Sequence, residues 1–128
     1  MNNNHIWGEM KMRDDDVFIS STVKSGTTWL QQIVSQIIFE GEFKENLSDI
    51  SIWIDNLREY NNEMVNEIIS KQNHRRFFKT HSPANIVLKN KNKNAKYIFI
   101  TRDFRDVIWS FHNHFINSKY QIKNYDVE

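Results

Sequence analysis

STVKSGTTWLQQIV, Ser21 to Val34, joins a strand-like run to a helix-like run through a loop with one glycine. Upstream, Val17-Phe18-Ile19-Ser20 is a short apolar run bounded by three aspartates, and it reads as a buried strand. From Thr27 onward, Trp29, Leu30, Ile33, Val34, Ile37 and Ile38 recur at helical spacing and predict one apolar face, with Gly41 as a natural stop. A loop entering a helix offers unpaired backbone N–H groups and the positive end of the helix dipole. Gly26 lets an anion approach the backbone without a Cβ in the way. Thr27 and Thr28 add hydroxyl donors, and Lys24 adds a full charge. Phosphate or sulfate suits this loop. The competing reading is a capped helix in which Ser25 or Thr27 satisfies the first turn. The pattern is not a Walker A loop, because the lysine precedes Ser-Gly instead of following a glycine and preceding Ser/Thr.

Two further strands are expected. Arg76-Phe77-Phe78-Lys79-Thr80 is closed by Ser82-Pro83, and Tyr97-Ile98-Phe99-Ile100-Thr101 is nearly all apolar, as in a parallel sheet covered on both faces. Ile50–Tyr60 and Asn62–Lys71 carry weaker helical patterns, Ala84–Leu88 suits a short helix, and Lys89–Lys96 suits a solvated loop. Val107, Ile108, Phe111 and Phe115 mark a last amphipathic helix, with Asp103 and Asp106 near its start, where carboxylates suit the dipole. Strands alternating with helices predict an α/β fold with a parallel sheet flanked by helices. Ligands then bind beyond the carboxyl ends of the strands.

Three junctions fall at those ends. The first is Lys24 to Thr28. At the second, Lys79 and His81 alternate and so share a face. A cation there can stabilise a leaving group, and a histidine can accept a proton from an attacking hydroxyl. At the third, Arg102 emerges from what reads as the most buried strand, where its planar fork can grip a phosphate. Ser110 follows about two helical turns later. The alternative there is an ion pair of Arg102 with Asp103 or Asp106. His5, His74, His112 and His114 make no metal set, and His112 and His114 fall on different faces of a helix. Trp53 and Tyr60 read as core rather than pocket lining.

The chain has 128 residues, 39% of them hydrophobic and 13% aromatic, which suits one domain with a real core. A net charge of +1 points to neither nucleic acid nor an anionic membrane as a partner. Without cysteine there is no disulfide framework and no thiolate metal site, as fits a reducing compartment. Residues 1–15 are polar, read as a flexible tail, and hold no apolar signal segment. No apolar run is long enough to span a bilayer, so the expected location is cytoplasmic.

Taken together, VKSGTTW, FFKTHSP and YIFITRDFRDVIWSFHNHF resemble the motifs of the cytosolic-type sulfotransferases, which use 3′-phosphoadenosine 5′-phosphosulfate (PAPS). The resemblance implies a P-loop, nucleotide-kinase-like fold and transfer of a sulfuryl group to a small-molecule acceptor with a hydroxyl or amine, without a metal. By position, Lys24, Ser25, Gly26, Thr27 and Thr28 would hold the 5′ end of the donor, and Trp29 would lie against the adenine. Lys24 would also shield the bridging oxygen. His81 would be the general base, Lys79 would stabilise the transferring group, and Arg102 with Ser110 would bind the 3′-phosphate.

Two departures stand out. Val23 replaces the family's usual proline, and the family's later Arg-Lys-Gly segment has no counterpart in this sequence. The resemblance covers the chain from about Asp16 and matches only the N-terminal part of the family, and Tyr120–Glu128 reads as lacking a clear structural ending. A truncated domain that binds the nucleotide or a partner without turnover is therefore the alternative function. A third reading, a nucleoside-triphosphate kinase or hydrolase, is disfavoured by the absent Walker A pattern. Self-association through an exposed sheet edge or apolar patch is also expected of such a chain.

Overall fold

Short runs of β-branched and aromatic residues pair in parallel to form the centre of the molecule. The computed structural model describes residues 5–56 and 60–117. Its elements are α1 (His5–Glu9), β1 (Val17–Ser21), α2 (Thr27–Ile38), α3 (Leu47–Ile50), α4 (Asn62–Ser70), β2 (Phe77–Thr80), α5 (Ala84–Lys89), β3 (Lys96–Ile100) and α6 (Phe104–Asn117). The expectation about Tyr120–Glu128 lies outside the described residues. The strand order is β2-β1-β3, and both pairs are parallel. Among the described residues, no helix is long and apolar enough to cross a membrane.

Strand alternation sends successive side chains to opposite faces, and each face has its own core. Phe18 and Phe78 pack with Ile6 and Trp7 of α1, Val65 and Ile69 of α4, and Val87 of α5. Val17, Ile19 and Phe77 pack with Val34 of α2 and Ile50 of α3. Phe18 is wholly buried, with ring centroids of Trp7, Phe78 and Tyr97 at 5.5, 5.4 and 5.2 Å. Asn61 caps α4, its side chain accepting from Met64 N–H at 2.9 Å.

Four expectations change. Within the expected tail of residues 1–15, Ile6, Trp7 and Met10 are buried in the core. A short helix with only two or three large apolar residues gives little periodic signal, so tertiary burial decides it. Ile50–Tyr60 was read as helical, but Ile52–Ile54 runs extended beside β2. Trp53 pairs with Lys79 in parallel, Lys79 N–H donates to Ile52 O at 3.0 Å, and Ile54 N–H donates to Lys79 O at 3.1 Å. The third strand is not the most buried one. β1 is buried throughout, whereas β3 lies at the sheet edge with Phe99 exposed, and no residue of α6 is buried. Finally, α2 buries Thr27, Gln31, Val34 and Ser35, with Leu30 and Ile38 partly buried, while Trp29 and Ile37 are 74% and 71% exposed. Gln31 is drawn inward because its Nε2 donates to Ser51 O at 2.9 Å and to Ser51 Oγ at 2.8 Å. Trp29 and Ile37 of α2 and Ile108 and Trp109 of α6 are among the exposed apolar side chains.

At the opposite end of the sheet, Arg76 and Asp16 form a buried two-pronged pair. Arg76 Nε donates to Asp16 Oδ1 at 2.7 Å, and Nη2 donates to Oδ2 at 2.6 Å. The guanidinium also donates to Ile69 O and Lys11 O, and Asp16 Oδ2 accepts from Arg13 N–H. Removing one partner strands a buried charge, so Arg76→Met is expected to cost about 3–5 kcal/mol. Urea denaturation would read this as a lower midpoint. The double replacement Asp16→Leu/Arg76→Met is expected to recover part of the loss, because no lone buried charge remains.

Candidate active site

The loop after β1 is shaped by two residues in the left-handed region, Lys24 at φ 59° and Gly26 at φ 95°. Such a conformation costs a lysine about 1–3 kcal/mol and a glycine almost nothing. A Cβ on Gly26 would meet nothing within 4 Å, so within the protein alone its backbone angle, not crowding, calls for glycine. Gly26 caps α2 without any side-chain hydrogen bond, so the capped-helix alternative is not realised. The candidate caps are engaged elsewhere: Ser25 Oγ lies 2.6 Å from Thr22 Oγ1, and the Thr27 hydroxyl is hydrogen-bonded to that of Ser21. The first-turn N–H groups of α2 therefore remain available to an anion.

Parallel pairing brings the ends of all three strands to one level. A cleft of about 560 Å³ there is lined by Lys24, Gly26, Thr27, Thr28, Trp29, Lys79, His81, Arg102 and Ser110, with Val23, Trp53, Phe111 and His114. Of the residues named from the sequence, only Ser25 is absent from the lining; it is buried behind the loop. Arg102 ties two junctions together, its Nη1 donating to Lys24 O at 3.3 Å. Its Nε lies 3.7 Å from Asp106 Oδ2, so the expected ion pair exists alongside the cleft position. Asp103 pairs instead with Arg105, accepting at 2.8 Å from Nη2 and at 2.9 Å from the backbone N–H.

His81 is half-buried and seated. Its Nδ1 lies 2.8 Å from Ser21 O. A carbonyl can only accept, so Nδ1 carries the hydrogen and Nε2 keeps the lone pair in the neutral ring. The Trp53 ring meets it edge-on at 5.0 Å. Burial lowers the His81 pKa below 6.5; the Ser21 carbonyl pulls it up, the charge of Lys79 pulls it down and that of Asp55 pulls it up. Lys79 places Nζ 4.7 Å above the Trp53 ring. Its pKa is also lowered, first by burial, then raised by Asp55 and lowered by Lys24. The histidine is thus biased to its neutral, proton-accepting form beside a cation.

Sequence reasoning missed Trp53, Asp55 and His114. Trp53 stands between two cavities and is not core. The second, of about 400 Å³, is lined by Trp53, Tyr60, Thr28, Gln31, Asn46, Leu47, Ser48, Ser51, Asn56 and Lys79. Part of the signal was available: Ile52 and Ile54 alternate about Trp53 and enter one core, whereas Ile50 closes α3 and enters the other.

The family described as Sulfotransferase domain matches residues 14–128. The chain is 39% identical over 108 residues to a glycolipid sulfotransferase of Mycobacterium tuberculosis, covering 83% of this chain and 32% of that protein. It is 39% identical over 112 residues to an amine sulfotransferase of Oryctolagus cuniculus, covering 85% and 36%. The crystal structure of retinol dehydratase in complex with androsterone and the inactive cofactor PAP superposes with a TM-score of 0.69 at 26% identity, covering 86% of this chain and 42% of that one. The chain thus spans about a third of the length of these curated relatives. By the match over residues 14–128, the chain belongs to the sulfotransferase domain family.

Proposed function

We propose that the chain carries the donor-binding and proton-accepting part of a sulfotransferase that moves a sulfuryl group from PAPS to a hydroxyl or amine of a small acceptor. The carrying observation is the convergence of Lys24–Thr28, Lys79 with His81, and Arg102 with Ser110 on one cleft. The loop N–H groups and Lys24 hold the 5′-phosphosulfate. Arg102 and Ser110 hold the 3′-phosphate, and Trp29 lies against the adenine. The acceptor enters through the second cavity, which shares Thr28, Trp53 and Lys79 with the first.

In the transfer, the acceptor oxygen or nitrogen forms a bond to sulfur while the bond from sulfur to the 5′-phosphate oxygen breaks. His81 Nε2 takes the acceptor proton. Lys24 stabilises charge growing on the leaving phosphate, and Lys79 stabilises the sulfuryl oxygens. In-line transfer of this kind depends on positioning and charge stabilisation, as in phosphoryl transfer. The same reading sets this chemistry in the cytoplasm, in keeping with the cysteine-free sequence, with no nucleic acid or membrane as partner.

Calorimetric titration tests the donor site. Adenosine 3′,5′-bisphosphate is expected to bind more tightly than 5′-AMP, and Arg102→Ala is expected to weaken it about 10–100-fold, the worth of a charge-assisted hydrogen bond. Equal affinity for the two nucleotides would overturn the assignment of the 3′-phosphate site. Transfer to a simple phenol should depend on pH in a set direction. A base with a lowered pKa is already deprotonated at neutrality, so the rate rises with pH on an acid limb whose midpoint lies below 6.5. It falls again as Lys79 loses its proton, on an alkaline limb below 10.5.

A further inference from the structure

Asp55 lines neither cavity, yet three consecutive residues around His81 donate to its carboxylate. Thr80 Oγ1 donates to Oδ2 at 2.8 Å, and Ser82 Oγ donates to Oδ2 at 2.7 Å. His81 N–H lies 3.3 Å from Oδ1 and 3.2 Å from Oδ2. The placement follows from pairing: Trp53 stands opposite Lys79, so two residues further along Asp55 stands level with His81. The turn is braced from behind, where Trp7 Nε1 donates to Ser82 Oγ at 3.1 Å and Ser20 Oγ donates to Ser82 O at 3.2 Å. We infer that Asp55 is a positioning residue: its carboxylate clamps the Thr80-His81-Ser82 turn so that the imidazole stays seated on the Ser21 carbonyl with Nε2 free for the acceptor proton. The inference rests on the reading of His81 as the base.

The carboxylate does two separable things. As a three-way acceptor it fixes the backbone from which the ring hangs. As a negative charge it opposes the effect of burial on His81 and Lys79. The other charged or titratable groups near the ring are Lys79 beside it and Lys24, Arg102 and His114 along the cleft, and Arg102 is already engaged with Asp106. Asp55 is the acid among the groups acting on His81, so its removal has a defined sign.

The test reads the His81 ring of the full chain by NMR, following nitrogen shifts and pH midpoint. Wild type is expected to show a fixed Nδ1–H tautomer and a midpoint below that of an ordinary histidine. Asp55→Asn removes the charge and leaves an amide that cannot accept all three donors. Its midpoint should fall further and its tautomers should mix, while adenosine 3′,5′-bisphosphate affinity stays within about twofold, since Asp55 lies outside the nucleotide cleft. Where transfer is measured, kcat falls about 10–100-fold with the nucleotide KM unchanged. If Asp55→Asn does not fold, Thr80→Val and Ser82→Ala each remove one donor without touching the charge, and each should loosen the tautomer. A fixed wild-type ring that Asp55→Asn leaves unchanged in both tautomer and midpoint overturns the role of Asp55 alone, as does an unchanged tautomer in both Thr80→Val and Ser82→Ala. A wild-type ring with mixed tautomers overturns His81 as a seated base, and the role of Asp55 with it.

Discussion

The parallel register of three short strands, with the buried Asp16–Arg76 fork at its amino end, is the constraint on which the cleft depends. Each residue of the fork immediately precedes a strand, and Val17 N–H donates to Arg76 O at 2.9 Å while Lys96 N–H donates to Asp16 O at 2.8 Å. The amino ends of β1, β2 and β3 are therefore held flush. The strands are only four or five residues long, so their carboxyl ends also emerge level. A slip of one residue would move a junction by about 3.3 Å and turn every side chain to the other face. The meeting of Lys24, Lys79 and Arg102 follows from that register.

At the cleft, the same alignment concentrates positive charge. Lys24, Lys79 and Arg102 converge on one cleft, and neighbouring side chains offset this charge only in part. Asp106 takes up Arg102, and the Trp53 ring face receives Lys79. Asp55 approaches from the flanking segment and bonds the Thr80-His81-Ser82 turn without lining the cleft. Its position leaves the cationic surface of the cleft uncovered while it accepts hydrogen bonds from the turn that carries His81.

The strand–loop–helix unit was legible because its signals are local. The period changes from strand to helix within a few residues, and Gly26 falls where φ is 95°. The Lys79/His81 alternation was legible for the same reason. What escaped depends on tertiary packing. Ile6 and Trp7 are buried by contact with distant strands, and Ile52–Ile54 is extended because β2 offers it hydrogen bonds. The apolar composition of the third strand suggested burial on both faces, but composition does not state which strand is central. On α2, Gln31 and Ser35 face inward where a hydrophobic count places Ile33 and Ile37, because Ser51 offers Gln31 two acceptors.

The seat of His81 on the Ser21 carbonyl has a consequence for where a captured proton can go. Nδ1 faces the Ser21 carbonyl at 2.8 Å, an acceptor that cannot take the hydrogen away, with the Ser21 hydroxyl further off at 3.5 Å. Nε2 is both entrance and exit. Under the role proposed for His81, a proton taken up at Nε2 would enter and leave through the cleft that the ring lines.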